Sequence, residues 1–150
     1  MAKTKKSFVN IANSKRGVYE EVIKKIAKQK VCPFCEEELH KHHERPIHQK
    51  GAYWIATDNM YPYKNTKVHL LFIHRKHISD ITEMSKEAWE ELRSMMKDFI
   101  QKKKTPGGIL HMRFGDTRYT GASVQHLHAH LISPDLKAEK QFGFKWEEKE

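Results

Sequence analysis

Near its carboxyl end the chain reads His126-Leu127-His128-Ala129-His130-Leu131-Ile132, and in this run three histidines alternate with apolar residues. Strict alternation predicts a half-buried β-strand, because successive side chains of a strand point to opposite faces. The apolar residues then face the core, and the three imidazoles share the other face. Neighbouring rings are expected roughly 6.5–7 Å apart at ~3.3 Å of rise per residue, so one phosphate group can contact two of them.

The chemistry of histidine leaves three interpretations of this run open. A neutral imidazole nitrogen is both a nucleophile and a metal ligand, and histidine changes its protonation near neutral pH. The rings are therefore a nucleophilic centre, a zinc-binding His-x-His pair or solvated side chains on an edge strand. Three histidines in strict alternation disfavour the solvated interpretation, and other residues must separate the first two.

The length of 150 residues fits one domain with its own hydrophobic core. No apolar run approaches the ~20 residues of a membrane span, and the basic amino terminus lacks the apolar segment of a signal peptide. Two cysteines make no disulfide framework. We therefore expect a cytoplasmic protein in which residues 1–12 form a basic arm and residues 13–150 form a single domain.

The formal net charge of +9 favours anionic partners. The lysines are dispersed along the chain, and neither an aromatic RNA-binding motif nor a recognition helix is recognisable. We therefore expect a small anionic ligand such as a purine nucleotide, rather than nucleic acid or a membrane.

Hydrophobic periodicity predicts helices and strands upstream of the histidine run. Residues 14–30 have helical spacing with Ser14 as the candidate N-cap. Residues 85–104 form the clearest helix, and its apolar stripe contains Ala88, Trp89, Leu92, Met95, Met96, Phe99 and Ile100. Strands are predicted at residues 53–57, 68–73, 109–114 and 126–132, and loops at residues 36–43, 59–66 and 115–123. Because loops join consecutive strands, the pattern predicts an α+β domain, an antiparallel sheet with a long helix packed on it.

The histidine run, with Gly121 and Ser123 just before it, resembles the signature of the histidine-triad (HIT) superfamily. The resemblance covers residues 31–135, and its upstream pieces follow in order at residues 59–63, 69–73 and 75–81. The Asn-Met-Tyr-Pro-Tyr piece at residues 59–63 is most similar to the branch of diadenosine-polyphosphate hydrolases and phosphorylases. The resemblance implies a HIT-like fold and a homodimer in which the sheets of two protomers join.

The resemblance also implies nucleotidyl transfer at the α-phosphate of a nucleotide conjugate such as a diadenosine polyphosphate. It assigns His128 as the nucleophile that forms a covalent nucleotidyl-histidine, while its other nitrogen keeps a proton bonded to a backbone carbonyl of the motif strand. His130 is expected to donate to a phosphate or leaving-group oxygen. The other residues expected at the site are His126 beside the nucleophile, Ser123 on the phosphate, and Asn59 and His69 on the substrate. A turn residue at position 59 and a core histidine at position 69 are the alternatives.

The spacing of Cys32 and Cys35 is that of one half of a zinc site, and no βαβ pattern around them favours a redox role. By resemblance, the other ligands are His77 and His126, which gives a closed structural site of four N/S ligands. A local alternative combines the two cysteines with two of four nearby histidines: His40, His42, His43 and His48.

Three positions depart from the pattern of the superfamily. His74 stands where the strand usually ends in proline, Ala122 replaces a frequent glutamine, and Arg113 lies in the loop that usually carries a substrate-contacting asparagine. Since a guanidinium binds phosphate in two places, we expect Arg113 to contact a longer polyphosphate chain. Arg118 is a second candidate for that contact, and surface charge is the alternative for both arginines.

Two other functions stay open. The departures suit a nucleotide-binding regulatory module with weak catalysis, which would bind nucleotide tightly without turnover. A zinc-dependent hydrolase, in which the triad itself holds the metal, would need an open coordination position. The favoured prediction is a hydrolase or transferase whose zinc is structural and absent from the reacting centre.

Overall fold

A five-stranded antiparallel sheet organises the computed structural model, which describes residues 7–14 and 17–138. Its strands are β1 (Ile47–Lys50), β2 (Trp54–Asp58), β3 (Thr66–His74), β4 (Ile109–Arg113) and β5 (His128–Pro134), in the order β1-β2-β3-β5-β4. The helices are α1 (Val18–Gln29), α2 (Glu36–His42), α3 (Lys86–Lys102) and the single turn α4 (Thr117–Thr120), with 3-10 turns at Ile11–Asn13 and Ile81–Glu83. The predicted α+β architecture is confirmed. Within the described ranges, no helix is long and apolar enough to cross a membrane.

Helix α3 packs against one face of the sheet, as predicted. Ser85 caps it by accepting a hydrogen bond from the Ala88 amide at 3.1 Å. The core between helix and sheet contains Trp54, Ala56, Leu70, Phe72, Leu92, Met95, Met96, Phe99, Leu127, Ala129 and Leu131. The apolar residues of the histidine run therefore face the core. Trp89 and Ile100 were predicted in the buried stripe but are 43% and 39% exposed. They lie on the same side of the helix as the exposed Arg93, at the margin of the stripe.

The turn between β1 and β2 is held by one carboxylate from α3. Glu91 accepts hydrogen bonds from the backbone amides of Ala52, Tyr53 and Trp54 at 2.7–2.8 Å. The carboxylate lies so close that a Cβ at Gly51 would stand 2.5 Å from it. The helix and the sheet edge are therefore joined by polar contacts as well as by the apolar core.

Two elements were missed by the sequence prediction, since α2 occupies the predicted loop at residues 36–43 and β1 follows it. The first turn of α2 is acidic and its last turn is basic, which stabilises the helix dipole. Its single buried residue is Leu39, which packs with Ile55, Leu71 and Ile73. Every residue of β1 is exposed, so this edge strand lacks the apolar alternation by which strands are recognised.

Helix α1 begins later than the predicted residue 14. Gly17 precedes it with a φ of 55°, a backbone conformation that favours glycine. Ser14 is not the N-cap, because its hydroxyl donates to the Ile11 carbonyl at 2.7 Å instead. Residues 15 and 16 of the predicted helix lie outside the described residues. Val18, predicted on the buried row, is 74% exposed.

Residues 8–13, called the N-terminal segment below, run along the loop that precedes β5. Val9 forms an antiparallel bridge with Val124, and the Gln125 amide donates to the Phe8 carbonyl at 2.8 Å. Val9 and Val124 share a cluster with Ile23 and Ile26 of α1. The predicted arm thus includes residues that pack on the domain, while residues 1–6 of it lie outside the described residues.

Candidate active site and metal cluster

The second face of the sheet carries the triad. In the strand register, His128 pairs with Ile73 and Arg113, and His130 pairs with Leu71 and His111. The half-buried strand of the prediction is buried on both faces, because Phe34 packs on His126 and His128 and because His111 stacks on His130. His126, His128 and His130 are 2%, 7% and 6% exposed, which excludes solvated side chains on an edge strand. His126 lies two residues before β5, and the other two histidines lie within the strand.

His128 has one ring nitrogen fixed and one available. Its Nδ1 lies 2.6 Å from the backbone carbonyl oxygen of His126. Since a carbonyl only accepts, Nδ1 carries the proton and donates, and the lone pair of the neutral ring lies on Nε2. Burial lowers the pKa of His128 to about 4, so the ring is neutral at pH 7. The edge of Phe34 packs on it at a centroid distance of 5.0 Å.

His130 has the opposite tautomer, which a chain of hydrogen bonds determines. The backbone amide of Tyr63 donates to Nδ1 of His69 at 3.1 Å, so the proton of His69 lies on Nε2. That Nε2 lies 2.8 Å from Nδ1 of His130 and donates to it. The proton of His130 therefore lies on Nε2, a buried atom that has no hydrogen-bond partner among the residues that the structure describes. Burial also keeps the pKa of His130 well below its ordinary value.

A cavity of about 220 Å³ joins the two histidines to most of the predicted substrate residues. Its polar lining includes Asn59, Arg113, Ser123, His128 and His130. Its apolar lining includes Val22, Ile23 and Ile26 of α1, together with Pro33, Phe34 and Leu71. His69 lies behind the lining, where its Nε2 is 3.2 Å from Nδ2 of Asn59. The structure thus brings His128, His130, Ser123, Asn59, Arg113 and His69 together at or directly behind the lining of one cavity.

Sequence reasoning missed two residues of the site. Tyr19 of α1 lines the cavity, and its hydroxyl is hydrogen-bonded to the hydroxyl of Ser123. His111 of β4 stacks on His130 with centroids 4.5 Å apart and planes 17° apart. Burial lowers the pKa of His111 to about 4. No sequence signal identified either residue, because both contacts depend on how separate elements pack.

Arg118 does not reach the site. It forms an ion pair with Asp116 at 2.5 Å on the surface, where its side chain is 79% exposed, and it does not line the cavity. Asp116 also caps α4 through the Arg118 amide. The structure therefore favours the surface-charge alternative for Arg118.

Four potential metal ligands converge beside the triad. The donor atoms of Cys32, Cys35, His77 and His126 all lie within 4.8 Å of one another. Nδ1 of His126 is 3.3 Å from Sγ of Cys32 and 3.1 Å from Nδ1 of His77. Tetrahedral zinc places its ligand atoms about 3.3–3.8 Å apart, at bond lengths of about 2.0–2.3 Å. The donor set and its spacing therefore fit a zinc ion.

The surroundings of His126 also suit a metal ligand. Its Nε2 donates to the His74 carbonyl at 2.6 Å, which leaves the lone pair on the Nδ1 that faces the cysteines. A second-shell acceptor of this kind is usual for metal-binding histidine. Burial raises the pKa of the Cys35 thiol to about 12, so a metal ion must displace its proton. His74 itself is buried against Trp54, with centroids 5.0 Å apart.

The alternative metal site is not supported by the described residues. Nε2 of His43 bonds to Oγ1 of Thr57 at 2.7 Å, and Nε2 of His48 bonds to Asp58 at 2.9 Å. Within residues 7–14 and 17–138, none of the four histidines of residues 40–48 joins a cluster of three or more ligand groups. The described residues therefore favour the set that includes His77 and His126 over the local alternative.

The sequence of this chain matches one protein-family model. Its description is scavenger mRNA decapping enzyme C-term binding, and the match spans residues 31–143. No curated protein matches the chain.

Solved structures with the same fold include histidine-triad proteins of low sequence identity. A histidine triad nucleotide-binding protein from Candida albicans has a TM-score of 0.62 and 19% identity, with 80% of this chain and 85% of that chain covered. A HIT family hydrolase from Clostridium thermocellum has a TM-score of 0.54 and 23% identity, with 73% and 95% covered. A Zn-bound histidine triad family protein from Mycobacterium smegmatis has a TM-score of 0.53 and 16% identity, with 73% and 78% covered. The predicted HIT-like fold is confirmed.

Proposed function

This chain belongs to the family described as scavenger mRNA decapping enzyme C-term binding, its fold is that of the histidine-triad superfamily, and we propose that it is a nucleotidyl hydrolase or transferase. The proposed reaction cleaves a nucleotide conjugate at its α-phosphate through a covalent nucleotidyl-histidine. The observation that carries this proposal is the pair of opposite tautomers in one buried cavity. His128 presents a lone pair on Nε2, and His130 presents an N–H.

The first step forms a bond between Nε2 of His128 and the α-phosphorus and breaks the bond from phosphorus to the leaving-group oxygen. The electron pair of the broken bond leaves with that oxygen. The ring of His128 becomes cationic, because Nδ1 keeps its proton, and the His126 carbonyl stabilises that charge through the bond at 2.6 Å. In the second step, an oxygen of water or phosphate attacks phosphorus and the histidine leaves as the neutral ring.

His130 contributes a hydrogen bond rather than a transferred proton. Its Nδ1 accepts from His69, and His69 accepts in turn from a backbone amide that cannot give up its hydrogen under these conditions. No proton can therefore move along this chain to replace one lost from His130. The last proton of a phosphate group has an ordinary pKa of about 6. A polyphosphate leaving group therefore departs as an anion at neutral pH and needs no proton from His130. This favours a dinucleoside polyphosphate as substrate.

The polar lining of the cavity supports the same substrate class. Arg113 provides a guanidinium suited to phosphate oxygens, and Ser123 provides a hydroxyl. Asn59, at the end of β2, is assigned to the ribose hydroxyls, and the apolar wall around Phe34 to a purine base. Binding of all three parts would hold the α-phosphate in line for attack, which is the main contribution of an enzyme to phosphoryl-type transfer.

We assign Cys32, Cys35, His77 and His126 to one structural zinc ion. A closed set of four N/S ligands leaves no position for water or substrate, which disfavours a zinc-dependent hydrolase in which the triad binds the metal. When bound, the ion would neutralise the thiolates and fix the ring of His126 relative to β5.

The exposed edge of the sheet supports the expected homodimer. Strand β4 is a terminal strand of the sheet, and Leu110 on it is 58% exposed beside Trp89 and Ile100 of α3. An apolar edge of this kind is usually covered. We propose that a second copy of the chain pairs there.

The deciding experiment is nucleotide release from a panel of diadenosine polyphosphates, sugar nucleotides and adenosine phosphoramidates, with and without phosphate. We expect wild type to cleave at least one substrate and His128→Ala to lose activity by about 10³-fold or more. His40→Ala, which changes an exposed histidine outside the cavity, should behave as wild type. If wild type binds nucleotide but cleaves no member of the panel, the proposed enzyme is refuted and the protein is instead a nucleotide-binding regulatory module.

A further inference from the structure

A row of side chains crosses the sheet from the triad to a histidine that the proposed reaction does not use. In the strand register, His130 pairs with Leu71, and Leu71 pairs with Thr57. Paired residues point to the same face of a sheet, and neighbouring strands lie about 4.8 Å apart. Thr57 is therefore about 10 Å from His130. The ring of His43, the residue that ends α2, is bonded to the Thr57 hydroxyl through Nε2 at 2.7 Å.

This row has the length of a nucleotide. His130, Leu71 and His43 all line the cavity, with Val22 and Ile26 of α1 in its apolar lining. With the α-phosphate held at the triad, the base would lie between Leu71 and the side chains of α1. Two strand spacings are comparable to the span of an extended nucleoside monophosphate from phosphorus to the far edge of its base. The far edge of the base would therefore meet His43.

The tautomer of His43 follows from its contact with Thr57. The Thr57 hydroxyl lies 2.8 Å from the carbonyl oxygen of Pro46 and donates to it. Because that hydroxyl has only one hydrogen, its oxygen must accept from Nε2 of His43. The lone pair of the ring then lies on Nδ1. Burial lowers the pKa of His43, which keeps the ring neutral at pH 7 and Nδ1 available as an acceptor.

His43 is better placed for a ligand than the other histidine at this end of the cavity. His42 also lines the cavity, but its Nε2 lies 3.5 Å from a carboxylate oxygen of Glu38. Within residues 7–14 and 17–138, the bond to Thr57 is the one side-chain hydrogen bond of His43. The ring of His43 also borders a second cavity of about 310 Å³. It therefore forms part of the wall between the two cavities.

Resting on the proposed function, we propose that His43 selects the base of the nucleotide, with its Nδ1 accepting a hydrogen bond from an exocyclic amino group of a purine. The apolar walls contribute affinity for any base, because they contact its faces. A base without the amino group leaves the acceptor unpaired in a partly buried place, which costs free energy. The discrimination between bases thus comes from one polar atom.

The test measures the binding of four nucleotides by calorimetry. AMP and purine riboside 5′-monophosphate differ only in the 6-amino group, and GMP and IMP differ only in the 2-amino group. We expect wild type to bind the amino member of one pair about threefold to tenfold more tightly, the usual effect of one hydrogen bond. His43→Phe should remove this preference. The ratio within a pair cancels any uniform effect of the larger ring on the cavity.

Two further variants complete the design. The matched control is His40→Phe, which makes the same substitution at an exposed histidine that borders the second cavity and not the first. It should keep the preference of wild type. Thr57→Val preserves the shape of the side chain but removes the hydroxyl that holds the proton on Nε2, so it should reduce the preference. It replaces His43→Phe in the test if that variant does not fold.

Equal binding within both pairs by wild type would overturn the proposal. A preference that persists in His43→Phe would overturn it too, because another residue would then read the amino group. These measurements need no turnover. A preference without cleavage of any substrate would refute the proposed reaction and support the role of His43, whereas cleavage without a preference would do the reverse. Binding of none of the four nucleotides by wild type would refute both.

Discussion

The carbonyl oxygen of His126 accepts a hydrogen bond from Nδ1 of His128 at 2.6 Å, while the ring of His126 lies among the cysteines. One residue thus belongs to two sites. Its side chain belongs to the cluster of four potential metal ligands, and its backbone carbonyl determines which nitrogen of His128 is available. The orientation and tautomer of the candidate nucleophile therefore depend on a residue whose ring is held by the cysteine and histidine cluster.

We predict that the purified protein contains one zinc ion per chain, because four N/S ligands converge. His77→Ala and Cys32→Ser should lose most of the metal and lower the melting temperature. His48→Ala, which changes a histidine paired with Asp58, should keep it. Elemental analysis provides the measurement, and full zinc occupancy in His77→Ala would contradict the assigned ligand set.

We predict that His69 acts by positioning His130. The bond from His69 holds the proton of His130 on Nε2, so His69→Ala should lower kcat by about 10²-fold with little change in KM. His69→Gln should restore part of the activity, because its amide N–H can donate in place of Nε2–H. Steady-state kinetics on the preferred substrate test this. A raised KM at unchanged kcat would instead indicate a direct contact with substrate.

We predict that acid destabilises the fold through His111. Its pKa is about 4 in the folded protein, because of burial, and about 6.5 when unfolded. Between about pH 6.5 and pH 4, position 111 therefore binds more protons in the unfolded state than in the folded state. The free energy of unfolding falls as pH drops through this range, and the contribution of His111 is fully present only above about pH 6.5. His111→Asn should lose less stability than wild type between pH 7.5 and 5 in urea titrations.

The exposed His40 provides the control for that measurement. His40→Asn should follow wild type across the same pH range. Release of metal at low pH affects all three proteins equally, so the difference between variants isolates His111. Parallel curves for His111→Asn and wild type would show that this ring does not titrate as stated.

We predict that Glu91 is the most important polar contact between α3 and the sheet edge. Its carboxylate accepts from three backbone amides, so Glu91→Ala should lower the free energy of unfolding by about 1.5–3 kcal/mol. Glu90→Ala breaks only a surface pair with Arg93 and should cost under about 1 kcal/mol. Equal effects of the two substitutions in denaturant melts would rule out the proposed role.

The elements that sequence predicted well are those with strong hydrophobic periodicity. Helix α3 and strands β3 and β5 bury one or both faces against the core, so their patterns are readable. Helix α2 and strand β1 were missed because α2 buries only Leu39 and β1 buries nothing. Ser14 failed as a cap because Gly17, three residues later, turns the chain just before α1.

The residues of the candidate site also divide into those that the sequence predicted and those that it missed. The triad, the Cys-x-x-Cys pair and Asn59 lie in local motifs, and the resemblance to a family supplied His77 and His69. Tyr19 and His111 lie in no motif, since Tyr19 meets Ser123 across 104 positions and His111 meets His130 only through strand register. Contacts of this kind depend on tertiary packing and cannot be read from spacing.

The contacts of the N-terminal segment also bear on how the protein is made. Val9 pairs with Val124, and Asn13 contacts Ala122 across 109 positions. A chain emerging from the ribosome presents α1 long before its partner loop exists, so Ile23 and Ile26 stay uncovered during most of synthesis. Closing so long a loop is slow relative to local folding. The cavity beside the triad is therefore expected to be the last part of the molecule to form, and nascent chains would be a natural target for chaperones until β5 is complete.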